Sequence, residues 1–305
     1  MRTLFADPRT DFVFKRVFGS EAHKGLLIAF LDAVLELDDE HRIEDVVLLD
    51  TEQRPQVREL KYSIVDVKCR DVRGTTYVVE MQVLNVEGFE KRVVYNVAKA
   101  YTNQLAVGAQ YPALDDVVGV TICDFVLWDE VPMLSRWRMQ EQHSNAHGLS
   151  QLQFVFLELP KYTGGDQPTS IIDKWAYFFR EAVNLTLVPE ALAVAPFREA
   201  LEAARAANFT EEEWDAYIRA GMAVQDERGA LSLALSTGEQ IGRKEGHKEG
   251  HKEGRQEALI ELLEERFGEL SEAALERVRA AEAEQLKAWI KRVLAAASLD
   301  EVFGS

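Results

Sequence analysis

Apolar and polar positions alternate most cleanly between Tyr62 and Gln82, YSIVDVKCRDVRGTTYVVEMQ, where β-branched and aromatic residues flank the turn-forming tetrapeptide Asp71-Val72-Arg73-Gly74. Period-two alternation of this kind predicts two strands joined by a tight turn. It also sorts the side chains by face. On the first strand Val65, Val67 and Cys69 point one way and Ile64, Asp66, Lys68 and Arg70 the other; on the second, Tyr77, Val79, Met81 and Val83 oppose Val78, Glu80 and Gln82. If both apolar sets line one core, Asp66, Glu80 and Gln82 gather on the opposite face.

Helical spacing governs much of the rest. Residues 10–19 predict a short helix with Phe12, Phe14, Val17 and Phe18 as its apolar patch, and residues 22–37 a longer one through Leu26, Leu27, Phe30, Leu31, Val34 and Leu35. A strand over 43–49 ends in the continuous run Val46-Val47-Leu48-Leu49, the pattern of a strand covered on both faces. A helix over 87–107 carries the stripe Val93, Val94, Val97, Tyr101 and Leu105. Its other side bears Arg92, Asn96, Lys99 and Asn103, which face either the carboxylates of the sheet or water. Strands over 117–127 and 153–159 follow, with an irregular polar stretch over 128–149 between them. This order of helices and strands predicts an α/β domain around a sheet.

Beyond Lys161 the pattern becomes almost wholly helical. The loop Gly164-Gly165-Asp166-Gln167-Pro168 marks a boundary. Helices are predicted over 171–185, 196–207 and 211–225, the last opened by a capping box of Thr210 and Glu213. Trp175, Tyr177, Phe178 and Phe179 have the spacing of residues packed back onto the sheet. From Gly242 the chain repeats in fours, GRKE, GHKE, GHKE, GRQE. Each glycine costs a helix about 1 kcal/mol relative to alanine, so this segment is either a loose tether or a helix rescued by a partner. A glycine every fourth residue also lines one face along which two backbones can approach, which predicts a homo-oligomer, a dimer in the simplest case. No Gly-Lys-Ser/Thr follows a strand, so the repeat is not a phosphate-binding loop. The resulting organisation is a core domain over 1–163, a helical region packing on it over 164–241, the glycine-rich repeat over 242–257 and a small helical region over 258–305.

Composition narrows the function. Cys69 and Cys123, the only cysteines, lie in apolar strand patterns, which excludes a disulfide framework and a cysteine zinc site and fits a reducing cytoplasm. No apolar run approaches the ~18 residues of a membrane span, and the N-terminus lacks the apolar core of a secretory signal. His143 and His147 are spaced as a helical metal pair, but Ser144-Asn145 and Gly148 point to a loop. The net charge of −17 opposes binding to nucleic acid. Its distribution softens the objection: residues 51–100 hold nine Lys/Arg against seven Asp/Glu, residues 201–305 fourteen against twenty-two. Arg54, Arg58, Lys61, Lys68, Arg70, Arg73, Lys91, Arg92 and Lys99 therefore crowd the stretch that carries the paired acids.

A register that pairs Asp66 with Glu80 brings their Cβ atoms roughly 4.5–5.5 Å apart, where like charges repel. A divalent cation held by both removes the conflict, and oxygen donors without Cys or His favour Mg²⁺ or Mn²⁺ over Zn²⁺. The alternative is a solvated strand face of mixed charge. An Asp near the end of one strand with Glu-x-Gln on the next resembles the PD-(D/E)XK nuclease superfamily. More closely, Asp7-Pro8-x-x-Asp11-x-x-Phe14-Lys15-x-x-Phe18-Gly19, Ile64-x-Asp66-Val67, Val79-Glu80-Met81-Gln82-Val83, Arg92 with Tyr95, Tyr101-x-x-Gln104-Leu105, Gly108-x-x-Tyr111 and Glu158-Leu159-x-Lys161 are similar to the Rpn family of recombination-promoting nucleases and transposase-like proteins.

The resemblance implies a restriction-endonuclease-like αβββαβ core with a mixed sheet, followed by a helical C-terminal region. It implies a DNA endonuclease dependent on Mg²⁺ or Mn²⁺, with recombination or transposition as its role. Asp66 and Glu80 would be metal ligands, joined by Asp11 from the first helix, and Gln82 would stand where the superfamily has lysine. Being uncharged, Gln82 cannot supply that lysine's electrostatic stabilisation, a task left to Lys68 or Arg92. Arg92, Lys99 and Arg70 are the expected DNA contacts. The missing lysine also leaves room for a second reading, a module that keeps the fold and binds nucleic acid or protein without cleaving.

Overall fold

A computed structural model describes residues 3–53, 62–106, 108–145 and 148–304, so Arg54, Arg58, Lys61 and His147 lie outside the described residues. The chain divides into two compact units, 1–226 and 227–305; the sequence boundaries at 163, 241 and 257 fall inside them.

The first unit opens with α1 (Asp11–Phe18) and α2 (Lys24–Leu35), followed by β1 (Val46–Leu48) and the short antiparallel pair β2 (Glu52–Gln53) and β3 (Ser63–Ile64). Then come β4 (Val67–Asp71), β5 (Thr76–Gln82), α3 (Phe89–Thr102), β6 (Val117–Cys123), β7 (Leu134–Gln140) and β8 (Gly148–Glu158), with α4 (Ile171–Glu181) and α5 (Phe197–Ala203) after them. The described strands form a six-stranded sheet in the order β1-β4-β5-β6-β8-β7. β5, β6 and β8 run parallel and the remaining pairings are antiparallel, the mixed sheet that the resemblance implied.

The turn between β4 and β5 is held by Asp71. Its Oδ1 accepts from the backbone N–H of Arg73 and of Thr75, and its Oδ2 from the Tyr77 hydroxyl. Gly74 sits at φ +97°, where a side chain is strained, and a Cβ there would collide with the Asp115 carboxylate. On one face of the sheet Val67, Cys69, Tyr77, Val79, Met81, Val120, Ile122 and Leu157 pack under α1, α2 and α4, whose Phe14, Phe18, Phe30, Trp175, Phe178 and Phe179 complete the main core. Burying each such side chain contributes roughly 1.5–3 kcal/mol. The helix α3 covers the opposite face, so close to β6 that a Cβ on Gly119 would stand 2.5 Å from Val97 Cγ2.

Four expectations change. The bend at Asp66 interrupts the alternation, so Val65 turns away from Val67 and packs with Val78, Val97 and Ala100 beneath α3. β1 is an edge strand with Val47 61 % exposed, not a strand covered on both faces. The stretch over 128–149, expected to be irregular, contains β7, which pairs along nearly the whole of a β8 that starts earlier than expected, at Gly148. On α3, Val94 is exposed and Phe89 and Ala100 take its place in the buried stripe.

α6 (Glu211–Phe267) runs through the division between the units and includes the whole glycine repeat, so that segment is helical here rather than a loose tether. Both bonds of the Thr210–Glu213 capping box are present at its start. In the second unit α7 (Glu272–Ala280), α8 (Ala283–Val293) and α9 (Leu299–Phe303) enclose a separate core of Leu259, Leu263, Val278, Leu286, Trp289, Val293 and Val302. No helix among the described residues is long and apolar enough to cross a membrane.

Candidate active site

The paired acids sit where β4 begins and β5 ends. Val67 is opposite Val79 and Lys68 opposite Val78, and one further step of this register sets Asp66 against Glu80. The ladder stops short of that step, and the Asp66 side chain replaces it: Oδ2 accepts a hydrogen bond of 2.8 Å from the Met81 backbone N–H. Glu80, 9 % exposed, accepts at Oε1 from Asn96 Nδ2 on α3 at 2.7 Å.

Desolvation dominates the electrostatics. Burial pushes the Asp66 carboxyl up to about 7; the Met81 N–H works against this, the charges of Glu80 and Asp11 add to it, and Lys15 opposes it. Burial likewise pushes Glu80 up, opposed by the Asn96 hydrogen bond and by Arg92. Two carboxylates that both resist ionisation and meet at the end of one strand pair suit a hard divalent cation, whose charge would relieve both and whose ligands are oxygens. Each keeps one oxygen, Asp66 Oδ1 and Glu80 Oε2, outside the hydrogen bonds just described. Among the described residues no group of three or more His, Cys, Asp or Glu side chains is arranged to hold a metal. The donors for such an ion would be this pair, completed by water and substrate, the usual habit of Mg²⁺.

Asp11, the expected third acid, lies on the exposed side of α1 with its carboxylate 2.6 Å from Lys15 Nζ. Its charge is felt at Asp66, which it helps to push upward. Gln82 donates from Nε2 to Leu84 O at 3.0 Å and accepts at Oε1 from Arg92 Nη2. The guanidinium of Arg92 also lies 5.6 Å from the Phe89 ring centre, while its Nε is buried without an acceptor among the described residues.

The polar row of α3 therefore faces the sheet and not water. Asn96 is 2 % exposed and Lys99 is buried, with Nζ 3.5 Å from Ser63 Oγ and 5.5 Å from the Tyr95 ring centre. Burial holds the Lys99 ammonium below its ordinary value. Lys68 shares the sheet face of Glu80; burial and the charge of Arg70 lower it, and Asp50 raises it. Arg70 donates from Nε to Thr76 Oγ1 at the turn end of the hairpin. Four residues of strand separate it from Asp66, about 13 Å.

Two participants escape the sequence reading. Asn96 stands in the polar row, yet its bond to Glu80 depends on how α3 is rotated over the sheet. Gln53, fully buried, donates from Nε2 to Asn96 O at 3.3 Å and, among the described residues, leaves its Oε1 without a donor, as Asn96 leaves its own Oδ1. Nothing in the local sequence marks Gln53, because a two-residue strand puts it there.

The sequence model of the PD-(D/E)XK nuclease family transposases matches residues 8–234. The chain belongs to this family. No curated protein and no solved structure matches it. The family span includes Asp11, the β4–β5 pair, all of α3 and the helices α4 and α5, so the helices whose aromatic residues fill the main core are part of the family domain and not an addition to it.

Other residues of the resemblance have structural work in this family member. Asp7 and Asp124 together grip Arg9, through bonds of 2.9 Å to Asp7 and 3.1 Å to Asp124, which fastens the N-terminal segment to the end of β6. Gln104 grips the Asp115 backbone by its N–H and its carbonyl, at 2.9 and 3.0 Å.

Proposed function

We propose that this PD-(D/E)XK nuclease family transposase is a metal-dependent DNA endonuclease acting in the cytoplasm, with recombination or transposition as its setting. The observation that carries the reading is the Asp66–Glu80 pair, two adjacent carboxyls both pushed upward by burial and both oriented by a hydrogen bond. Asp66 and Glu80 would hold Mg²⁺, with Mn²⁺ as the alternative. Such an ion, when bound, lowers the pKa of a water and offsets charge on the phosphate.

The protein's own groups do the remaining work. The Met81 N–H and Asn96 hold one oxygen of each carboxylate, which leaves Asp66 Oδ1 and Glu80 Oε2 for the ligand. Gln82 carries no charge and exchanges no proton; its Oε1 braces Arg92. Arg92 then supplies the positive charge that the superfamily lysine would bring, its planar guanidinium suited to phosphate oxygens. Lys68, drawn by Asp50, is less well placed for that role. Lys99 and Arg70 extend the basic row along the same face of the sheet, where the DNA backbone would follow.

Purified full-length protein should nick supercoiled plasmid with Mg²⁺ and stop when EDTA is added. Arg92→Ala should slow nicking by roughly 100-fold, the usual loss of one preorganised charge donor. The Gln82 substitution favours the rival reading, a nuclease-fold module that binds without cleaving. Binding of DNA with no nicking at any Mg²⁺ or Mn²⁺ concentration would establish that rival and end the enzymatic proposal.

The glycines of the repeat belong to the same reading as a contact between copies. A Cβ built on Gly242, Gly246, Gly250 or Gly254 would meet nothing within 4 Å, so this helical face is open in the single chain. Light scattering should give the mass of a dimer, reduced to a monomer when the four glycines are replaced by glutamate.

A further inference from the structure

We infer that His247 and His251 form a chelating site for one transition-metal ion of the nickel, copper and zinc group, separate in sequence and in chemistry from the carboxylate pair. The repeat sets histidine at the second position of two successive tetrads, and a four-residue step along a helix returns a side chain to the same face one turn on. The two Nε2 atoms stand 3.1 Å apart, with ring centres 4.3 Å apart and the rings inclined at 76°. One proton shared between two imidazole nitrogens holds this arrangement when at least one ring is neutral. A metal ion would displace that proton and, standing to one side of the line between the nitrogens, use both lone pairs.

The spacing has the bite of a chelate. With metal–nitrogen bonds of about 2.0–2.1 Å, nitrogens 3.1 Å apart subtend about 100° at the metal, between octahedral and tetrahedral angles. The rest of the shell is water, since no third His, Cys, Asp or Glu among the described residues completes the group. Arg243 and Arg255 fill the same tetrad position one turn before and after the pair, with Lys244, Lys248 and Lys252 beside them. These charges oppose a cation, but Arg243, Lys244 and Lys248 are exposed on α6, where salt screens them, and Lys252 and Arg255 are half-buried. Lys252 is moreover drawn toward Glu282, 3.4 Å away.

Donor chemistry separates the two sites on the chain. Mg²⁺ seeks oxygen and leaves imidazole alone, whereas neutral imidazole favours the late first-row ions. The consequence is local. Chelation ties together the turn that holds Gly250, with Gly246 at its start, each of which disfavours a helix by about 1 kcal/mol, so the ion orders the repeat.

Ni²⁺ should be titrated calorimetrically into the full-length protein in the presence of excess Mg²⁺, alongside His247→Gln, His251→Gln and the double variant. The other four histidines stay in every sample. Losing a ligand weakens a metal site at least as much as losing its outer-shell partner, so each single change should reduce affinity by roughly tenfold or more. The double variant should be little worse than either single one. Ni²⁺ should also slow backbone hydrogen exchange over 246–251 in the wild type alone. Equal Ni²⁺ binding by wild type and double variant, or exchange that ignores Ni²⁺, overturns the site. None of these outcomes bears on nicking, so the endonuclease reading stands or falls separately.

Discussion

Asp66→Asn should abolish Mg²⁺-dependent nicking and, with the metal removed, make the protein more stable above neutral pH. The two effects have one origin. The folded protein raises the Asp66 carboxyl to about 7, against about 3.9 in an unfolded chain. A group that binds its proton more tightly when folded contributes most at low pH, and its contribution falls as pH rises through the interval from about 4 to 7. Metal-free wild type therefore loses stability across that window and levels off above it. A shift of three units corresponds to about 4 kcal/mol at most; Asp66 keeps some contact with water, so about 2 kcal/mol is the expected size. Asparagine has no charge to bury, and its Oδ1 can still accept from the Met81 N–H. Urea midpoints in EDTA should differ little at pH 4 and favour the variant at pH 8. Glu80 is raised for the same reason, so a shallower slope persists in the variant. Mg²⁺ should restore the wild type and leave the variant unmoved, and nicking should fall by on the order of a thousandfold, the equivalent of some 4 kcal/mol of transition-state stabilisation. A variant less stable than wild type at pH 8 in EDTA would mean that the ionised carboxylate is already compensated, and the burial argument would fail.

The legible part of the molecule is the part with strong periodicity. α1, α2, α4, the β4–β5 hairpin and β6 follow from apolar spacing alone, and the β4–β5 register brings Asp66 and Glu80 together at the end of the ladder. Illegible elements are those whose side chains meet solvent on both sides or whose form depends on distant contacts. β7 reads Leu-Ser-Arg-Trp-Arg-Met-Gln and is largely exposed, so no two-residue rhythm marks it; only its ladder with β8 makes it a strand. Alternation alone assigns Val65 to the face of Val67, but a single bend at Asp66 resets it, and that bend frees Asp66 to reach the Met81 N–H. The sequence leaves open whether Asn96 faces the carboxylates and gives Gln53 no role, because their places depend on the rotation of α3 and on the pairing of β2 with β3. The glycine repeat misleads in the other direction: its helix penalty suggests a break, and α6 continues through it.

Glu158→Ala should be the most destabilising single change near the site, and it separates a structural from a chemical reading of Glu158 and Lys161. Glu158 lies across β6 from Gln82, two strands away or about 10 Å, close enough for a sequence motif to suggest chemistry. Its surroundings argue otherwise. The side chain has no exposure; Oε2 accepts from the backbone N–H of Leu127 at 2.6 Å and of Trp128 at 3.3 Å, and Oε1 takes Lys161 Nζ at 3.0 Å. Lys161 donates in addition to the carbonyls of Trp128 and Val131. Both charges are thus spent on closing the loop after β6, with nothing left to offer a substrate. Alanine at 158 leaves the half-buried Lys161 ammonium without its counter-charge and two backbone donors without an acceptor, a loss of about 3–5 kcal/mol. Removing both partners together, as in Glu158→Gln with Lys161→Met, should cost less than Glu158→Ala alone, since no unpaired charge remains. Urea unfolding of the three proteins measures this directly. The same loop follows Asp124, whose N–H binds Gln82 O at 2.9 Å, so a loosened loop should also weaken the brace on Arg92 and lower nicking while the Asp66–Glu80 pair is untouched. If Glu158→Ala instead left stability within about 0.5 kcal/mol and erased nicking, the clamp account would be wrong and Glu158 would belong to the chemistry.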